Sequence, residues 1–160
     1  MTVRTPAISL WQPWASLIFV SDHGSRKLHE TRSYPLPPRY LGERIAIHAA
    51  KRPVPKAIDA DLELLCIDLF GVDFRSSLPR GAVVGTVMID QWTATEFCGP
   101  ETDADSIAGD WTNGRFAWRL RNPQQLETPL PQLGQQGWFR VEIPETAVHS
   151  RSDWETGNAR

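Results

Sequence analysis

The sequence predicts a mixed α+β domain built on a small curved sheet or barrel with flanking helices. Four β-patterned segments stand apart from two stretches of helical spacing, and Gly or Pro punctuates the junctions between them. Strand and helix do not alternate as a parallel dinucleotide-binding fold requires, and neither common Gly-rich phosphate loop is present. At 160 residues and 41% apolar, the chain suits one compact domain with a sizeable core. The expectation is a single domain over 1–148 and a polar tail over 149–160 with the composition of a disordered segment.

The elements follow in order. Pro13 is pre-organised for a first helical position, Trp14, Leu17 and Ile18 recur at helical spacing, and Gly24 can cap the end, so a helix is expected from about Pro13 to Asp22. Its free N–H groups, with the Gln12 amide beside them, offer a place for a phosphate or carboxylate. Pro35, Pro37 and Pro38 force an extended loop. Arg44–Ala49 alternates Ile45, Ile47 and Ala49 with Arg44, Ala46 and His48, the period of a half-buried strand. From Val54 to Phe70, Ile58, Leu62, Leu65 and Leu69 fall on one helical face, and Gly71 ends the helix. Gly81–Trp92 is strand-like, with Gly85 permitting a bulge or a close backbone approach. Arg115–Arg121 and Trp138–Ile143 are two further strands, separated by the Pro-rich PLPQLGQQG.

Charge is unevenly spread. Between Arg26 and Lys56, eight cations stand against Glu30 and Glu43, a local net of +6 in a chain whose total is −2. Tyr34, Tyr40, His29 and His48 are interleaved with these cations, a combination that suits unpaired bases and phosphates. No apolar run reaches the roughly 18 residues of a membrane span, and Met1 to Pro6 leads into no signal-peptide pattern, so a cytoplasmic protein is expected. Cys66 and Cys98 make no metal or redox motif. The acidic stretch with Asp103, Asp105 and Asp110 departs from a calcium loop, since Ile107 takes a ligand position and no Glu closes it; it reads as a solvated loop. No cofactor is expected, although a divalent ion bound to RNA phosphates could assist cleavage.

The succession SLWQPWASL, then a Gly followed by Lys27, Glu30 and Arg32, then Gly42 before the strand ending in His48 and Lys51, resembles the ASCH domain, the activating signal cointegrator homology domain. GAVVGTV, FAWRL and GQQGWFRV look like its remaining core strands, and the resemblance covers about residues 7–143. It implies a PUA-like β-barrel of five or six strands flanked by helices, with a cleft lined by the motif residues. Members of the family are thought to bind RNA, and some bacterial members are reported to act as ribonucleases or as amidohydrolases on an acylated nucleoside such as acetylcytidine. For the amidohydrolases the matching lysine is Lys27. Glu30, with Thr31 adjacent, stands where a hydroxyl nucleophile is expected, a departure because a carboxylate cannot replace that nucleophile directly. Glu96, Glu101 and Asp105 occupy the region of the more distant glutamate.

The residues also argue for themselves. In an extended chain Glu30 and Arg32 share a face, and a turn after Lys27 lets it converge on Glu30. A carboxylate among cations stays ionised and can accept a proton from a water or ribose hydroxyl, while a lysine steadies developing negative charge. Lys51, just past a strand and beside Arg52, can bind a phosphate, and His48 can shuttle a proton. Lys51, Lys27 and Glu30 are therefore the candidate catalytic residues. Gln12, Pro13, Trp14, Arg32, His48, Arg52, Arg115 and Trp138 are the candidate binding residues for single-stranded RNA or a nucleoside. The readings that follow are an RNA-binding domain that cleaves its RNA, a non-catalytic recognition module and a nucleoside amidohydrolase.

Overall fold

The computed structural model describes residues 1–20 and 26–148, so the expected C-terminal tail and the expected helix end at Asp22 and Gly24 lie outside the described residues. The chain runs β1 (Thr2–Leu10), α1 (Trp14–Leu17), β2 (His29–Arg32), β3 (Arg44–Ala49), α2 (Ala60–Phe70), α3 (Phe74–Ser77), β4 (Ala82–Ala94), α4 (Asp103–Ala108), β5 (Phe116–Pro131) and β6 (Trp138–Pro144). The strands form one six-stranded sheet of order β2-β5-β4-β3-β1-β6. Among the described residues β1 and β3 alone run parallel; the other neighbours are antiparallel. Among the described residues no ladder joins β2 to β6, so the sheet is open and stops short of the closed barrel expected from the sequence.

It is nevertheless strongly curled. Four strand spacings separate β5 from β6, on the order of 19 Å in a flat sheet. The rings of Trp118 on β5 and Trp138 on β6 are only 6.0 Å apart. Tyr40 stacks on Trp138 at 3.9 Å, and Tyr34 meets Trp118 edge-on at 5.5 Å. The β4·β5 ladder supplies the bend, because its register shifts between Val83 and Gly85, Thr86 and Met88, and Ile89 and Gln91. Such irregularities increase local twist.

The concave face buries Ile8, Leu10, Ile45, Ile47, Val87 and Leu120 around Trp118. The opposite face is covered too, with Ala46, Val83, Phe139 and Val141 packed under Leu126 and Leu130. All six residues of β3 are buried for this reason, a correction to the half-buried strand expected from RIAIHA. Its alternation separates two interior layers instead of inside from outside. A third cluster joins Leu17, Leu62, Cys66, Phe74 and Ala108, binding the helices to one another. Burial pushes the Cys66 thiol up to about 11, so it stays protonated and inert. Among the described residues no helix is long and apolar enough to cross a membrane.

Three expected elements are corrected. The first helix is a single turn, with Pro13 as its cap instead of its first residue. The second starts at Ala60, because the Asp59 carboxylate accepts from the Asp61 N–H at 2.9 Å and sets the start there. Asp103 and Asp105 lie in α4 instead of a solvated loop, with Thr102 as its cap and Asp105 fully buried, while Asp110 lies past the helix and is exposed. β1 and the far half of β5 were not expected at all. In β5, Asn122 takes a left-handed φ of 46°, and Pro123 and Pro129 fall outside the paired register, so the strand tolerates them.

Gly85 sits where a side chain has no room: an added Cβ would lie 2.6 Å from the Gln124 carbonyl oxygen and would overlap the Phe19 ring. Gly85→Ala is expected to destabilise the fold by about 1–3 kcal/mol, read from urea unfolding. An unchanged midpoint would contradict this packing.

Candidate functional site

A two-lobed cleft opens beside the curled sheet. The first lobe, about 690 Å³, is lined by Trp14, Glu30, Asp59, Asp110 and Arg115, among others. The second, about 950 Å³, is lined by His48, Lys51, Arg80 and the segment from Pro131 to Gly137. Ser9, Trp11 and Arg32 line both and form the shared wall.

The β2 register builds the first lobe. Glu30 lies opposite Trp118 and Arg32 opposite Phe116, so both point to the concave side. Lys27 Nζ donates to Glu30 Oε2, and Arg32 Nη1 stands 3.8 Å from Glu30 Oε1. Lys27 is only 1% exposed and approaches Glu30 from the protein side. A buried cation needs such a partner, since taking either charge from water alone is costly. The Arg32 guanidinium lies 5.8 Å from the Trp118 ring and 5.5 Å from that of Tyr34.

Asp105 holds β2 from behind. Its carboxylate accepts from the backbone N–H groups of Leu28 at 2.7 Å, His29 at 2.9 Å and Glu101 at 3.2 Å, and from His29 Nδ1 at 3.0 Å. Burial alone would push this carboxyl up, but the hydrogen bonds from His29, Glu101 and Leu28 together outweigh it and hold the group below the ordinary aspartate range. With His29 pulled to this side, the alternation of β2 sends Glu30 to the cleft.

The second lobe is cationic. Arg32, Lys51 and Arg80 line it, and among the described residues no carboxylate does. Lys51 is exposed, and its ammonium makes no hydrogen bond or ion pair among the described residues. Trp11 is 46% exposed at the boundary, with the Arg52 guanidinium 4.0 Å from its ring.

The expected residues therefore divide. Glu30, Arg32, Trp14, Arg115, His48 and Lys51 line the cleft. Arg52 borders it through Trp11. Lys27 reaches it only through Glu30. Gln12 is fully buried, and its amide is spent on Ser16 and the Pro79 carbonyl at 2.8 and 2.7 Å, with its oxygen accepting from Ser16 N at 3.1 Å. With its amide so engaged and a helix of one turn, no anion site forms there. Pro13 is buried behind it. Trp138 is a core ring stacked on Tyr40 and lines neither lobe. Trp14 also ties its indole N–H to the Ala108 carbonyl at 2.9 Å, and Arg115 donates to the Thr31 carbonyl at 3.2 Å. Sequence reasoning missed Ser9, Arg80 and Gln132 as cleft residues, because no local pattern brings them together.

No family model matches the sequence, and no curated protein matches it. Among solved structures the chain is similar to the ASCH protein of Zymomonas mobilis, at 17% identity over 96% of this chain and 94% of that one, with a TM-score of 0.47. A tyrosine-to-phenylalanine mutant of that protein gives 17% identity, 96% of each chain and a TM-score of 0.46.

Because its folded value lies below its unfolded one, Asp105 stabilises the fold above about pH 4, and that contribution is lost as pH falls through the folded value. Asp105→Asn is expected to lose about 1–3 kcal/mol at neutral pH. The gap to wild type in urea unfolding should narrow as the pH is lowered below 4. A gap that widened on acidification would overturn this role.

Proposed function

We propose that this chain is an ASCH-family protein, a single PUA-like domain through residue 148 whose curled sheet approximates a barrel, and that it binds single-stranded RNA in the two-lobed cleft. The family reading rests on the run from SLWQPWASL through Lys27, Glu30 and Arg32 to His48 and Lys51. The observation that carries RNA binding is the partition of charge. Among the described residues the second lobe has three cations and no carboxylate, which suits phosphate, while the first adds indoles and carboxylates that suit a base and a ribose. Trp11 at the boundary offers a stacking ring to a base.

Cleavage of the bound strand is the second reading, favoured by Lys51. An uncommitted ammonium in a cationic lobe can stabilise the charge that develops on a phosphate under attack. The other two of the expected trio are less suited, since Lys27 is sealed beneath Glu30 and Glu30 is held between Lys27 and Arg32.

End-labelled single-stranded RNA, titrated with wild type, Lys51→Ala and Trp11→Ala at several salt concentrations, tests both readings. Wild-type affinity should fall steeply with salt, and Lys51→Ala should flatten the slope by about 0.7, the value for one phosphate contact on a single strand. Trp11→Ala should cost about 1–3 kcal/mol with the slope kept. Shortened RNA with wild type and not with Lys51→Ala would add cleavage. No binding at low salt, or binding indifferent to salt, would sink the RNA reading.

A further inference from the structure

The parallel β1·β3 register sets Ser9 directly beside His48. Ser9 Oγ is 2.8 Å from His48 Nδ1, and His48 Nε2 is 2.7 Å from the Gln132 carbonyl oxygen. A carbonyl only accepts, so Nε2 carries the ring proton and Nδ1 offers its lone pair to the Ser9 hydroxyl. His48 is 1% exposed and is held in place by the Phe139 ring at 5.8 Å and by the backbone at Gly134, where a Cβ would lie 2.7 Å from His48 Cε1. Ser9 itself is half-buried and lines both lobes. A hydroxyl open to a cleft, a neutral imidazole accepting its proton and a third group fixing the imidazole are the parts of an activated nucleophile.

We propose that Ser9 is a nucleophile and His48 its base, for transfer of the acyl group of a small carboxylic ester carrying an anionic group. The anionic preference follows from Arg32, Lys51 and Arg80 in the adjoining lobe. Ser9 Oγ attacks the acyl carbon as its proton passes to His48 Nδ1, and the imidazolium keeps its Nε2–H on Gln132. The positive lobe favours the oxyanion. Collapse breaks the bond from acyl carbon to alkoxy oxygen, and Nδ1 returns the proton to the leaving alcohol. Water, deprotonated by Nδ1, then attacks the Ser9 ester and releases the carboxylic acid, restoring the hydroxyl. The inference uses no property of RNA, so its failure would leave the RNA reading untouched.

The test is a fluorophosphonate probe incubated with folded full-length protein, followed by peptide mass spectrometry. The peptide carrying Ser9 should be labelled ahead of those carrying the exposed Ser76, Ser77 and Ser106, which serve as internal controls. Ser9→Ala should remove the label, His48→Gln should slow labelling at least about 100-fold, and urea-unfolded protein should not react. Labelling of Ser9 no faster than of the exposed serines would overturn the proposal. An equal rate in folded His48→Gln would do the same. Should His48→Gln fail to fold, the wild-type comparison among serines decides alone.

Discussion

The contact between Trp118 and Trp138 constrains everything around it, because two rings from strands four spacings apart meet at 6.0 Å only when the sheet between them is bent. Fully burying an indole removes about 150–250 Å² from water, a gain of roughly 4–6 kcal/mol by area. That gain works against the tendency of an open sheet to splay. The bend is located where β4 and β5 lose register, and Gly85 lets Phe19 lie against the strand at that place. Hydrophobic burial thus provides the force and the irregular ladder provides the hinge.

The cleft is a product of that bend. β2 is one edge of the sheet, while β1 lies at the far side with only β6 beyond it, yet Glu30 and Arg32 share a lobe with Ser9 and Leu10. In a flat sheet these residues would sit on the order of 19 Å apart. Curvature converts sequence-distant residues into one wall, and the buried Asp105 and His29 keep β2 turned so that its charged side chains join that wall. Charge then divides by lobe: Glu30, Asp59 and Asp110 line the first beside Arg32 and Arg115, whereas the charged residues described at the second are Arg32, Lys51 and Arg80.

What could be read from the sequence follows from how local each determinant is. RIAIHA carries its own strand period, and β3 has the expected bounds; its burial on both faces depends on partners the period does not encode. Gly71 ends α2 with φ 97°, as a glycine cap can. TVRTPAISL lacks clean alternation and contains Pro6, so β1 was invisible although it is central to the site. Prolines in β5 hid its second half because the tolerance for them comes from gaps in the β4 register. The convergence of Lys27, Glu30 and Arg32 was legible, since they lie close in the chain. The fates of Gln12 and Trp138 were not, because amides and indoles serve cores and clefts equally well and only the tertiary contacts choose.

Among the described residues the open sheet has two unpaired edges, and an unpaired edge is a template on which another chain could add a strand. Here both are poor templates. β2 offers only four residues, His29, Glu30, Thr31 and Arg32, all of them polar or charged. β6 alternates exposed Arg140 and Glu142 along its length and finishes on Pro144, which has no N–H to give. Leaving the sheet unclosed therefore keeps a gap through which the concave side can be reached, without turning that gap into a site for self-association into fibrils.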